Sequence, residues 1–393
     1  MPAKQAAKRA IKKAIKKAAR FLSLKIILPG VYARAAKKPV VSGRVIFLEV
    51  SADHLTDSFS LLFEEVKRRG KAPELICIHD GSVGGVQYLK NCARMLKEIA
   101  TAQVVFLNEA SNVTSCVRLR PETRLVQTWH GCGAFKKFGF STAELGWGIS
   151  GREMERYPYY KNQWLVSVSA PEAVAAYQDA MRQPPGVIRP LGVSRTDVFF
   201  DEAYIRRARE ALYAHFPQAE GKKVILFAPT FRGTQAKAYT LQPDYAVFSQ
   251  ALAGDYVLVE KHHPFVKRRP GVPAQYADFA RDLTGEMEIG ALLCVSDVCI
   301  SDYSSLVFEY ALFERPMVFF APDLEQYFDE RGFYYSYETL TPGPVCRTQE
   351  AVVDYILHLE ERFERRRVSE FKERFMSACD GHATERILDY IGL

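Results

Sequence analysis

Cys299-Ile300-Ser301-Asp302-Tyr303-Ser304-Ser305-Leu306-Val307-Phe308-Glu309 reads as a buried strand that ends in an acid and two hydroxyls, then turns at once into a helix. The apolar run from Val298 to Ser301 has strand length and bulk. Asp302, Ser304 and Ser305 therefore stand at the carboxyl end of a strand, beside a helix N-terminus. Unpaired N–H groups and the positive end of the helix dipole favour a phosphate there. A plain cap by Ser304 fits the same residues, so the meaning of this turn depends on what the other strand ends carry.

Outward from it, the chain alternates short apolar runs with helical stretches, the pattern of a parallel sheet covered on both faces. Strands are expected at Val224–Phe227, Tyr256–Val259, Val298–Ile300 and Met317–Phe319, with helices near 304–313, 349–366 and 368–390. An earlier series runs through Val45–Val50, Leu75–Ile78, Val104–Leu107, Leu125–Thr128 and Leu165–Val168, with helices near 57–69, 86–99 and 171–182. The turn-rich Pro184-Pro185-Gly186 and Gly192 and a helix near 201–214 separate the two series. The 393 residues exceed one core and suit two. The expected division is a basic segment at 1–40, a first α/β domain at 41–200 and a second at 201–393, whose last helix is free to pack back on the first. Ligands of such sheets bind beyond the carboxyl ends of the strands, so two of them make a cleft.

The net charge of +7 is concentrated at one end. Residues 1–38 hold twelve Lys or Arg and no acid, which leaves 41 basic and 46 acidic residues in the remainder, a net of −5. Ile11, Ile15, Ala18 and Leu22 recur on one helical face, with Lys4, Lys8, Arg9, Lys12, Lys13, Lys16 and Lys17 around the other. Phe21 to Leu28 adds bulky apolar residues before Pro29-Gly30, which is expected to end the helix. Such a helix suits an anionic membrane surface through residues 1–28, and deleting those residues should leave the fold intact. A nucleic-acid arm, a solvated tail and a targeting peptide are the other readings, and the apolar cluster speaks against nucleic acid. No apolar run approaches the roughly 20 residues needed to span a bilayer. The eight Cys are scattered inside apolar runs without zinc spacing, as befits reduced thiols in a cytoplasmic protein.

Chemistry-bearing residues cluster at the strand ends. After 125–128 comes Trp129-His130-Gly131-Cys132-Gly133-Ala134-Phe135-Lys136-Lys137, where Gly131 and Gly133 permit a sharp turn close to a ligand. His130 stands where a general base would, and Lys136 and Lys137 could meet anions. After 224–227 comes Ala228-Pro229-Thr230-Phe231-Arg232-Gly233, whose Arg232 offers a bidentate fork for phosphate. After 256–259 comes Glu260-Lys261-His262-His263-Pro264; the paired His lack a third ligand for a metal. Arg331-Gly332-Phe333-Tyr334 and Pro342-Gly343-Pro344 form a further loop.

With these motifs together, the chain resembles the CDP-glycerol glycerophosphotransferase family, the teichoic-acid primases and polymerases of Gram-positive cell envelopes. The resemblance spans roughly residues 120–345. It rests on Trp129-His130-Gly131 with Lys136-Lys137 and Gly139-Phe140, and on Ala228-Pro229-Thr230-Phe231-Arg232. It continues through Ser296-Asp297-Val298, Ser301 to Ser305, Arg315-Pro316, Asp323-Leu324-Glu325 and Arg331 to Tyr334, ending at Pro342-Gly343-Pro344. It implies a GT-B-like α/β fold, two Rossmann-like domains facing across a cleft, here preceded by the basic amphipathic helix. The implied activity moves glycerol phosphate from CDP-glycerol to a hydroxyl of a lipid-linked glycan or polymer, releasing CMP at the cytoplasmic face of the cell membrane. No cofactor or metal and no nucleic acid are implied; a homo-oligomer is left open. His130 and His263 are the implied catalytic residues, His130 as base. Gly131, Lys136, Lys137, Thr230, Arg232, Lys261, His262, Asp302, Ser304, Ser305, Glu309, Arg331 and Gly332 are implied to bind substrate, with Asp302 orienting the turn or a donor hydroxyl. The family's Trp-His-Gly-Thr-Pro becomes Cys132-Gly133 after Gly131 here. CDP-ribitol transfer and sugar transfer by a GT-B glycosyltransferase are the alternatives within enzymes, and a catalytically dead scaffold the one outside them.

Overall fold

The computed structural model describes residues 2–78, 84–143, 145, 148–233 and 238–393, the side chains of 2–7 and 328–331 excepted. Its frame is two six-stranded sheets in which every pairing is parallel. The first contains β1 (Val45–Glu49), β2 (Glu74–Cys77), β3 (Val104–Leu107), β4 (Arg124–Gln127), β5 (Gln163–Ser167) and β6 (Ile188–Arg189), in the order β2-β1-β3-β4-β5-β6. The second contains β7 (Lys223–Phe227), β8 (Tyr256–Glu260), β9 (Ala280–Asp282), β10 (Val298–Ser301), β11 (Met317–Phe320) and β12 (Val345–Cys346), in the order β12-β11-β10-β7-β8-β9. Counted from its own first strand, the second sheet has the 3-2-1-4-5-6 order of a dinucleotide-binding domain. The expected GT-B-like α/β architecture is the observed one.

Strands buried on both faces explain why the runs read as continuously apolar. Along β1, Ile46 and Leu48 enter one core with the 85–99 helix, while Val45 and Phe47 enter another with Phe59, Leu62 and Val66 of the 57–68 helix. That second core is completed from far away by Ile387, Leu388 and Ile391 of the helix Ala383–Ile391. Arg69 also pairs with Asp389 at 2.6 Å, and Arg124 donates to the Ile391 carbonyl at 2.6 Å. The end of the chain thus packs on the first sheet.

The N-terminal helix departs from expectation. It does not stop at Pro29-Gly30: an α-helix over Pro2–Leu22 passes through a π turn at Ser23–Ile27 into a further helix, Leu28–Ala35. The Leu28 N–H reaches back five residues to the Ser23 carbonyl, widening the ladder just before Pro29, which has no N–H to give. Burial of Leu24, Leu28 and Tyr32 against the first sheet's core then carries the helix onward. The Phe21–Leu28 cluster is therefore split. Leu24 and Leu28 are core residues, whereas Phe21, Leu22, Ile26 and Ile27 stay 39–55% exposed. Among the described residues no helix is long and apolar enough to cross a membrane.

Candidate functional site

Strand order reverses between β7 and β10, and the register sets their ends side by side: Val298 opposite Ile225, Ile300 opposite Phe227. The Ala228 N–H then donates to the Ile300 carbonyl at 2.9 Å, and the Ser301 hydroxyl to the Ala228 carbonyl at 2.8 Å. Asp302, wholly buried, ties the two turns together by accepting from the N–H groups of Thr230 (2.8 Å) and Tyr303 (2.6 Å) and from Arg232. It orients the turn and does not line the cleft. Arg232 has a protein partner at every nitrogen. Nη1 donates to Asp302 and the Thr230 carbonyl, Nε and Nη2 to Asp323 at 3.0 and 2.9 Å, and the residue lines a smaller cavity with Phe231, Tyr239 and Tyr327. The guanidinium lies over the Tyr303 and Tyr327 rings, 5.2 and 5.5 Å from their centroids. Two carboxylates hold it, so it braces the turn.

A cavity of about 480 Å³ opens beyond these strand ends, lined from both sheets, with His130, His263, Thr230, Ser304 and Ser305 on its wall. The helix after the turn starts at Leu306, later than expected, and runs as α-helix only to Tyr310. Ser305 stands at its N-cap without a side-chain cap bond, and Ser304 Oγ accepts from the Leu306 N–H at 3.4 Å, a long bond. Capping therefore occupies little of either hydroxyl. Thr230 Oγ1 is buried on the same wall without a partner among the described residues.

The two candidate histidines are held in opposite hydrogen-bonding states. His130 Nδ1 lies 3.0 Å from the Asn108 carbonyl, which can only accept, so Nδ1 carries the proton and Nε2 keeps its lone pair. His263 Nδ1 accepts the Phe265 N–H at 3.2 Å, so there Nε2 carries the proton. Crowding by protein depresses both pKa values, helped at His263 by the nearby Lys136 charge. His130 is set by a strained step: Trp129, at φ +56°, turns β4's end, and its ring stacks on the imidazole at 4.5 Å. His263 is wedged between Phe231 and Phe265, at 4.7 and 4.6 Å.

Several other expected ligands already have protein partners. Lys261 lines the cavity, but its ammonium donates to the Thr284 carbonyl at 2.9 Å and to that of Met287. His262 is buried and pairs with Glu260 at 2.9 Å. Glu309, also buried, accepts from Arg195, a cavity-lining cation the sequence reading missed because it sits on a 3-10 segment between the sheets. Lys136 lines the cavity with its ammonium 3.3 Å from the Tyr327 hydroxyl. Lys137 and Gly332 meet through their backbones. Residues 135–137 and 332–334 pair across the two sheets, with Lys137 N–H to the Gly332 carbonyl and Tyr334 N–H to the Phe135 carbonyl, both 3.1 Å. The side chain of Arg331 lies outside the described residues. Gly131 packs beside Ser305, 3.6 Å from where a Cβ would stand. At Gly133 (φ +61°) the Phe308 ring approaches to 2.5 Å of that position, so it is a protein ring and not a ligand that needs this glycine. Cys132 is buried and reaches Glu309 at 3.5 Å. Among the described residues no group of three or more His, Cys, Asp or Glu is placed to hold a metal ion.

Residues 31–393 match the profile of the family described as CDP-Glycerol:Poly(glycerophosphate) glycerophosphotransferase. The teichoic acid poly(ribitol-phosphate) polymerase of Bacillus spizizenii is 35% identical over 356 residues, which cover 90% of this chain and 56% of the polymerase. The teichoic acid ribitol-phosphate primase of the same organism is 32% identical over 376 residues, covering 93% of this chain and 96% of the primase. The chain thus spans little more than half of the one and almost all of the other. The solved structure of the wall teichoic acid polymerase TagF shares the fold, with a TM-score of 0.78 at 22% identity over 98% of this chain and 96% of that one.

Proposed function

The chain belongs to the CDP-glycerol:poly(glycerophosphate) glycerophosphotransferase family, and from that premise we propose that it moves a polyol phosphate from a CDP-polyol to a hydroxyl of a lipid-linked teichoic-acid acceptor, releasing CMP. The observation that carries the mechanism is the pair of opposed imidazoles on one cavity wall, His130 with a free Nε2 lone pair and His263 with an Nε2–H. The acceptor hydroxyl attacks the β-phosphorus while His130 Nε2 takes its proton, a role worth roughly 10²–10⁴-fold in rate. The bond from that phosphorus to the CMP oxygen breaks. Charge growing on the leaving phosphate is met by His263 Nε2–H and the hydroxyls of Thr230, Ser304 and Ser305, none of which must reorganise.

The donor we assign is CDP-ribitol ahead of CDP-glycerol, the donor that the sequence resemblance implied. Relatives aligned over 88–93% of the chain carry ribitol-phosphate names, whereas those with glycerol-phosphate names align over 69–77%. A TagF structure soaked with CDPG keeps CDP-glycerol as the second donor to test. The site of action we assign is an anionic membrane surface. Ile11, Ile15, Phe21, Leu22, Ile26 and Ile27 are exposed along a helix whose other face is Lys and Arg. The deciding experiment offers CDP-ribitol and CDP-glycerol in turn with a lipid-linked disaccharide acceptor, and follows CMP release and product mass. Release of CMP with a mass gain of one or more ribitol phosphates is expected. Turnover of neither donor would end this reading, and turnover of a nucleotide sugar instead would replace it.

A further inference from the structure

His262 is the one histidine of the cavity wall to which the proposed chemistry gives nothing to do. Its ring and its backbone are both held. Its ring Nε2 lies 2.9 Å from Glu260 Oε2, the other Glu260 oxygen accepts the Tyr245 hydroxyl at 2.7 Å, and its own N–H donates to Thr284 Oγ1 at 2.9 Å. His262 and Glu260 are both within 1% of complete burial. Yet Nδ1, itself shielded from solvent, has no hydrogen-bond partner among the described residues, an omission that costs on the order of 1–3 kcal/mol until something fills it.

The chemistry of that orphan atom is narrow. The ring nitrogen facing a carboxylate carries the proton, so Nε2–H donates to Glu260 and Nδ1 is left as a lone pair. It can only accept. Phosphate oxygens also only accept, so a phosphate is no partner for it, in contrast to the orphan Thr230 hydroxyl, which can donate. A donor amine or hydroxyl is required. Lys261 ties this part of the wall to the carbonyls of 284 and 287, and Phe231, Pro264 and Ile289 add apolar lining suited to a planar ring. Ser305 lies beside Gly131, on the turn after β10, with β7 between it and the end of β8 that carries His262.

Resting on the CDP-polyol reading above, we propose that His262 Nδ1 accepts from the 4-amino group of the cytosine ring and so selects cytidine over uridine nucleotides. Uracil carries a carbonyl at that position, which would set two lone pairs against each other. Glu260 and Tyr245 are the positioning residues that fix the imidazole's tautomer and plane.

Calorimetric titration of the full chain with CMP and with UMP tests this. The wild type should prefer CMP by about tenfold or more, the value of one hydrogen bond gained against one lost. His262→Gln can still reach Glu260 through its amide but has no acceptor where Nδ1 was; its CMP affinity should fall until the two nucleotides bind within about threefold of each other. His262→Asn places an oxygen near the Nδ1 position and should recover part of the preference. Equal wild-type affinities, or a CMP preference that survives in His262→Gln, would overturn the assignment, as would an equal loss for both nucleotides. Should His262→Gln fail to fold by its melting curve, the wild-type ratio alone decides. A wild type that binds neither CMP nor either CDP-polyol would instead bring down the donor reading on which the assignment stands.

Discussion

Replacing His130 by Ala removes a base without touching the proposed phosphate contacts, so kcat should fall by roughly 10²–10⁴-fold while donor affinity from calorimetry stays near wild type. His263→Ala should weaken donor binding as well as turnover, and the reverse pattern would exchange the two roles. Burial holds the His130 imidazole below its ordinary value of 6.5, only partly offset by the Asn108 carbonyl. A base that works unprotonated is then ready at neutral pH, and the acid limb of kcat/KM should lie below 6.5. The linked stability has the same direction: the unfolded chain takes up this proton first, so stability is lost as pH falls from 6.5 toward the folded-state value. Arg232 makes a contrasting prediction. Arg232→Ala leaves Asp302 and Asp323 facing each other unneutralised, and should cost about 3–5 kcal/mol in denaturant titration in addition to any effect on binding. The strand-end positions of His130, His263, Ser304 and Ser305 were legible in the sequence because each follows an apolar run directly. The occupation of Arg232 was not: its second carboxylate, Asp323, is 91 residues away and no local pattern announces it.

Elements meet at Gly133, where the turn after β4 touches the helix that carries Phe308. Gly133→Ala combines a positive φ with a ring at 2.5 Å, and should destabilise the protein by about 1–3 kcal/mol, seen as a lower midpoint in urea. The N-terminal helix divides at its π turn into parts with different duties. Deleting residues 1–19 should leave the melting temperature nearly unchanged and release the protein from anionic vesicles in a sedimentation assay. Deleting 1–28, contrary to the sequence expectation, also removes Leu24 and Leu28 from the core and should lower the melting temperature by several degrees, at about 2–5 kcal/mol per buried leucine. Unchanged vesicle binding after the shorter deletion would end the membrane assignment. The long, doubly buried strands were readable as apolar runs, but β6, β9 and β12 were not. They are edge strands of two or three residues, too short to show a period. The helices at Tyr245–Leu252 and Ile289–Val295 were also missed, and a single expected helix over 368–390 is two, Arg365–Met376 and Ala383–Ile391, with Gly381 at φ +91° between them.

At the scale of the whole molecule, the sheets are coupled by more than the cavity. The 135–137 and 332–334 pairing, the Arg195–Glu309 ion pair and the Arg365–Met376 helix, whose Phe375 carbonyl accepts the Ser169 hydroxyl at 2.7 Å, all cross from one to the other. Saturating CMP should therefore raise the melting temperature of one cooperative transition rather than split it; at 100 times Kd the stabilisation is about 2.7 kcal/mol. Two separate transitions would mean that the sheets unfold independently. The return of Ile387, Leu388 and Ile391 to the first sheet has a consequence for the order of events during synthesis. Phe47, Phe59 and Leu62 leave the ribosome well ahead of the residues that close their core, as the 320-residue separation of Arg69 and Asp389 measures. While the intervening residues are made, the nascent first domain carries an open apolar face, a target for chaperones and an opportunity for aggregation, and its maturation waits on the helix that follows the second sheet.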